Sequence, residues 1–181
     1  MQRRLSIGLV SALLVTAAGC SFSIGGKSPE SAGEELIEGE LSEKLGVDLT
    51  DADCTEPADD EPGEEFTCTA TTPDGETITF QGVVETDDEI FVAASNVIIA
   101  EEMAVVEEEA AAVLGPEVGV EIDPSQVECP EETTVLDGDE LRCEIVDADN
   151  GDRYVLTATF GGYVLHEGFD ERYYEIGDLI E

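Results

Sequence analysis

Gly63-Glu64-Glu65-Phe66-Thr67-Cys68 returns 75 residues later as Gly138-Asp139-Glu140-Leu141-Arg142-Cys143. Each copy follows an earlier cysteine, Cys54 or Cys129, by the same interval. Cysteine, glycine and an apolar residue therefore recur in register. A repeat of this kind decides architecture before any single element does, because each unit has its own apolar face to bury. The expectation is an α+β protein of two small tandem domains, residues 30–99 and 100–181. Each is read as an N-terminal helix packed on an antiparallel sheet of about four strands, with one internal disulfide. Units well under about 100 residues bury so little that a covalent staple helps.

Outward from the first copy, Phe66, Cys68 and Ala70 alternate with Thr67, Thr69 and Thr71, the period of a half-buried strand. Pro73-Asp74-Gly75 is a turn, Ile78, Phe80 and Val84 mark the next strand, and Ile90–Ala94 a last one after Thr86–Glu89. Upstream, Leu36, Ile37, Leu41 and Leu45 recur at helical spacing after Ser28-Pro29 and before Gly46, which predicts a helix from about residue 30 to 45.

In the second copy, Met103–Leu114 matches this helix at an offset of 69, with Gly115 as its stop. Its start is open, because Ser95 or Asn96 offers an earlier cap. Val118, Val120 and Ile122 then alternate like a strand. Leu141, Cys143 and Ile145 repeat the buried stripe, Asn150-Gly151 signals a hairpin, and Tyr154–Phe160 forms the next strand before a Gly161-Gly162 bend. The tail from Phe169 is apolar enough to pack, as strand or short helix.

Leaving Cys20 aside, four cysteines allow three pairings. The repeated interval favours Cys54–Cys68 and Cys129–Cys143, one bridge closing each unit. No Cys-x-x-Cys is present and no histidine lies near, so structural disulfides outweigh metal or redox use.

The N-terminus reads as an export signal. Met1-Gln2-Arg3-Arg4 is a basic start, and Leu5–Ala18 an apolar run too short to span a bilayer comfortably. Thr16-Ala17-Ala18-Gly19-Cys20 resembles the bacterial lipobox, with Ala17 where leucine is usual. The resemblance implies a lipoprotein signal peptide, residues 1–19, and a lipid (diacylglycerol, palmitate) on Cys20 as anchor to the membrane. Residues 20–29, small and containing Gly25-Gly26, are read as a flexible tether.

With 45 acidic residues against 7 basic ones the net charge is −38, and no lysine or arginine stands between Lys44 and Arg142. Such a chain has no basic footprint for nucleic acid. Asp147–Asp152 imitates a calcium loop but places glycine at position 5 instead of 6. The acidic loops Asp59-Asp60-Glu61 and Asp87-Asp88-Glu89 read as solvated turns. His166 is the one histidine, and no nucleophile elbow, P-loop or dinucleotide fingerprint occurs. Catalytic residues, metal ligands and cofactors are therefore each expected to be none, and the protein not to be an enzyme.

A lipobox-like cysteine, a helix, Cys129-Pro130 (Cys54-Thr55 in the other copy), Gly-x-x-hydrophobic-x-Cys and a hairpin together resemble the actinobacterial domain of unknown function 4333, in two tandem copies. The resemblance implies a cell-envelope setting and a disulfide within each copy; it brings no activity. The expected role is to display two non-catalytic modules outside the cytoplasmic membrane for an envelope protein, wall component or small ligand. The alternatives are an acidic cation-binding surface protein and an accessory subunit of an envelope enzyme or transporter.

Overall fold

The computed structural model describes residues 19–180, so the expected signal segment lies outside the described residues except for Gly19. The fold is mixed, with antiparallel sheets, two apolar cores and two disulfides. In the first half, β1 (Gly19–Ser23) precedes a helical rod made of α1 (Pro29–Leu36), a π-helical turn (Ile37–Leu41) and α2 (Ser42–Leu45). β2 (Thr50–Cys54), β3 (Glu65–Thr71), β4 (Thr77–Thr86) and β5 (Glu89–Ala94) follow, in the sheet order β1-β5-β4-β3-β2. The alternation read in β3 and β4 is the burial pattern observed: Phe66, Cys68, Ala70, Ile78, Phe80 and Val84 face the rod.

The second half is built from β6 (Val97–Ile98), α3 (Ala100–Val118), a 3-10 turn (Pro124–Gln126), β7 (Val127–Glu128), β8 (Thr134–Val135), β9 (Glu140–Val146), β10 (Arg153–Val164) and β11 (Gly168–Ile180). β11-β10-β9-β7 form one sheet, and β6 pairs with β8 as a small ribbon between the halves. Cys54–Cys68 and Cys129–Cys143 both close loops with a sequence separation of 14. A loop of that length contributes about 3 kcal/mol in the chain-entropy model.

Four expectations are corrected. Residues 20–29 are not a tether: Cys20, Phe22 and Ile24 alternate toward the first core, and β1 pairs with β5 along its whole length, giving five strands instead of four. Helix α3 does not stop at Gly115. It runs one more turn to Val118, and the left-handed cap is Gly119 (φ 77°). Gly115 is small for a packing reason, since a Cβ there would lie 3.0 Å from the carbonyl oxygen of Val120 as the chain doubles back. Val118 is therefore helical, and no strand covers 118–122. Gly161-Gly162 does not end the strand: Gly162 is left-handed (φ 62°), but β10 continues to Val164 and the tail returns as the 13-residue strand β11.

The two halves correspond closely once the helices are realigned. Buried Pro29, Ala32, Leu36 and Ile37 match buried Met103, Val106, Ala110 and Ala111 at a spacing of 74 (29 to 103, 37 to 111). After the π turn the spacing is 73, from Leu41 to Leu114 and Gly46 to Gly119. The same cap bond recurs, Val47 N–H to Ser42 O and Val120 N–H to Gly115 O. The π turn is thus a one-residue insertion, absorbed at the exposed Glu38-Gly39-Glu40.

Candidate functional site

Chemistry in a chain this acidic has to be sought where polar groups are withdrawn from water or where apolar surface is not. A cluster of the first kind and a pocket of the second both lie in the second half; in the first half, among the described residues, Glu30 Oε2 on α1 is buried by itself without a partner.

The first is a polar cluster between α3 and the strands β10 and β11. Arg172, on β11, is almost fully enclosed and forms an ion pair with Glu109 of α3. The Tyr174 hydroxyl donates to the same carboxylate at 3.0 Å. Burial, followed by the Glu109 charge, raises the Tyr174 pKa. Two α3 turns earlier, burial pushes the Glu102 carboxyl up to about 7, against the opposing pull of Arg172. Burial and the Glu102 charge push Tyr163 up to about 12. Glu102 Oε1, Tyr163 OH and Arg172 Nε are buried and have no protein partner. Such groups cost free energy unless water reaches them.

The second place is a pocket of about 440 Å³ at the C-terminal end of α3, lined by polar and apolar surface in nearly equal measure. Val118, Val120, Ile122, Ile145, Tyr154 and Ile176 are its large apolar lining residues. Glu121, Asp147 and Asp149 stand among the lining residues, with no basic side chain. Val118 and Val120 are 51% and 61% exposed and line the same pocket, so they leave adjoining apolar surface open. The false calcium loop supplies the acidic side: Asp147 Oδ1 accepts the Asp149 N–H at 2.8 Å and Asn150 Oδ1 the Asp152 N–H at 2.8 Å. Those oxygens close the turn that joins β9 to β10.

The residues singled out from sequence do not gather into one site. Cys20 lies on the edge strand β1, opposite Val92, partly buried against the first core and outside both bridges. His166 sits in the β10–β11 turn with φ 69°, stacked on Phe91 of the first half at 4.0 Å. Its Nε2 is 3.8 Å from a Glu85 oxygen, which makes it part of the contact between halves. Asp59, Asp60, Glu61, Asp87, Asp88 and Glu89 are exposed. Among the described residues no group of three or more His, Cys, Asp or Glu side chains converges on a common point. No helix among them is long and apolar enough to cross a membrane.

Residues 15–89 match a family model described as "Domain of unknown function (DUF4333)". No curated protein and no solved structure matches the chain. The DUF4333 match takes in Cys20, the rod, the first disulfide and the sheet up to the start of β5. The polar cluster and the pocket both fall beyond it.

Neither place was foreseen from sequence. Glu109 and Arg172 are 63 residues apart, and nothing in the pattern of either segment points to the other. The pocket had one available signal: Val118 and Val120 are apolar on a stretch whose strand reading required Gly119 to be an ordinary strand residue.

Proposed function

We propose that the mature chain begins at Cys20, carries its lipid there, and displays two copies of the DUF4333 fold on the outer face of a bacterial cytoplasmic membrane. Its work there is binding, not catalysis. The observation that carries the anchoring half of this reading is Cys20 itself. It follows the small residues Thr16-Ala17-Ala18-Gly19 in a chain whose four other cysteines are bridged. The family match begins at residue 15 and so includes that segment. Because β1 starts at this point, the lipid would leave the protein from a sheet edge, with no spacer between anchor and fold. Two acyl chains suffice for stable attachment at about 0.8 kcal/mol per buried methylene.

The two-copy reading is supported by the cysteine interval of 75, by the shared cap at Gly46 and Gly119, and by the strand register: Cys68 faces Phe80 as Cys143 faces Leu156. The binding reading is supported by the pocket, which pairs open apolar surface with acidic groups and includes no nucleophile with an adjacent base.

Expression in a bacterial host fed labelled palmitate tests the anchor. Label is expected in the detergent phase for the wild type and is expected to vanish for Cys20→Ser. A mature chain cut elsewhere, or one with a free Cys20 thiol, would overturn the proposal.

A further inference from the structure

The pocket beyond α3 occupies a place that is filled in the other half of the molecule. Its large apolar lining residues, Val118, Val120, Ile122, Ile145, Tyr154 and Ile176, correspond to Leu45, Val47, Leu49, Ala70, Ile78 and Ala94. The helix-end pairs follow from the shared cap; the strand pairs follow from register, since Ala70 faces Ile78 as Ile145 faces Tyr154, and Phe80 faces Ala94 as Leu156 faces Ile176. In the first half, Leu45, Leu49, Ala70, Ile78 and Ala94 are buried and Val47 packs against them. The β6–β8 ribbon packs onto the same core. Val97 belongs to the first core, Val135 packs onto it, and Thr133 Oγ1 donates to Leu45 O at 2.6 Å to close the helix end.

In the second half nothing described occupies that position, and the helix-end side chain is exposed instead of buried (Val118 51%, Leu45 2%). Uncovered apolar surface next to a cavity large enough for several side chains marks a binding face. The chemistry of the cover differs from that of the first half in one respect. Glu121, Asp147 and Asp149 line this pocket without a basic neighbour, on a chain of net charge −38.

We propose that this pocket binds an extended segment of a basic partner protein, one that inserts an aliphatic side chain as Val97 does in the first half and sets lysine or arginine beside it against the acidic rim. The inference rests on the binding reading above and names the partner chemistry of that same pocket. Apolar insertion supplies the affinity; the rim charges select the partner and speed its arrival.

The test uses the lipid-free chain from Cys20→Ser and a blocked pentapeptide alternating lysine with valine. Methyl NMR should show Val118 and Val120 shifting on titration, and the apparent Kd should rise about fivefold or more from 50 to 300 mM salt. Val118→Ser with Val120→Ser should weaken binding about tenfold, the cost of two aliphatic contacts. Glu121→Gln with Asp149→Asn should weaken it severalfold, whereas Asp59→Asn with Asp60→Asn, on a first-half loop, should not. Equal loss from the first-half pair would mean that overall charge alone is at work, and would overturn the proposal. A glutamate–valine or serine–valine peptide that moves the same methyls as strongly would keep the pocket as a binding site but refute a basic partner. If no peptide moves them, both the inference and the pocket's part in the binding reading fail, while the lipid anchor is judged separately by its label.

Discussion

Around Ile90 and Val92 the helix–sheet seam of the first half is apolar, whereas the matching stretch of the second is polar. In the first half Leu36 of α1 shares one core with Ile90 and Val92 of β5, all within 1% of complete burial. Strand register places Arg172 and Tyr174 where Ile90 and Val92 stand, since Val84 faces Ile90 as Phe160 faces Arg172. The helix answers with Ala110 where the first half has Leu36, and the small side chain leaves room for the larger ones. Glu109, beside it, then supplies the counter-charge. One backbone arrangement thus tolerates either an apolar seam or a hydrogen-bonded ionic one, provided the total volume is kept. The two differ in how they fail. An apolar seam loses packing when cut, whereas an ionic one strands a charge.

The largest expected effect follows from that difference. Arg172→Ala leaves Glu109 without its ion-pair partner and is expected to cost about 3–5 kcal/mol. Ala110→Leu, Arg172→Ile and Tyr174→Val copy the first half; combined with Glu109→Gln, which removes the charge left without its partner, they are expected to be neutral or stabilising by about 1–4 kcal/mol. All four tyrosines lie in the second half and there is no tryptophan, so tyrosine fluorescence in urea reports this half alone. A loss under about 1 kcal/mol for Arg172→Ala would mean that water screens the pair and that the two seams are energetically alike.

Next in size is a trade of volume beside the disulfides. In the first half the Phe66 ring lies so close over Gly82 that a Cβ there would be 2.4 Å from its Cζ, and it also presses on Gly33. In the second half the same pair is Leu141 and Ala158, facing each other in the matching register. Gly82→Ala alone is expected to cost about 1–3 kcal/mol by overpacking, and Phe66→Leu alone a similar amount by leaving a cavity. Together they should cost clearly less than their sum, because the double change is the solution already used in the other half. Hydrogen exchange of the β3 and β4 amides measures it. Strict additivity would show that the two pairs do not occupy equivalent environments.

What the sequence revealed was whatever repeats at short range. The cysteine pairs, the buried stripes of β3 and β9 and the hairpin turns all follow from local alternation and from a single interval of 75. β1 was missed because its alternation is only Cys20, Phe22 and Ile24, and Gly25-Gly26 directly after it imitates a linker. The end of α3 was misplaced because a glycine that packs and a glycine that caps look the same in a sequence. Gly115 touches the returning chain, whereas Gly119 takes the left-handed conformation. The pocket and the polar cluster were out of reach for a different reason. Each depends on which distant segment covers which face, and no local pattern records that.

The smallest effect concerns Glu102 and isolates the polar seam by pH. Its carboxyl is held near 7 in the folded chain by burial, against an ordinary value of 4.5. The folded state therefore holds this proton more tightly than the unfolded one. Stability from this group is complete below about pH 4.5, falls as pH rises through about 7, and is level above that. With partial exposure allowed for, the loss is on the order of 1–2 kcal/mol. Glu102→Gln keeps the shape and removes the proton, so its urea midpoint, read by tyrosine fluorescence, should equal the wild type at pH 4 and exceed it at pH 8. The many other carboxylates titrate in both proteins and cancel in the difference. Ser28, the matching position in the first half, carries no such proton, so hydrogen exchange of β4 and β5 should show no corresponding step between wild type and variant. Parallel curves across the whole range would mean that Glu102 is solvated like any surface acid, and the contrast between the seams would then rest on Arg172 alone.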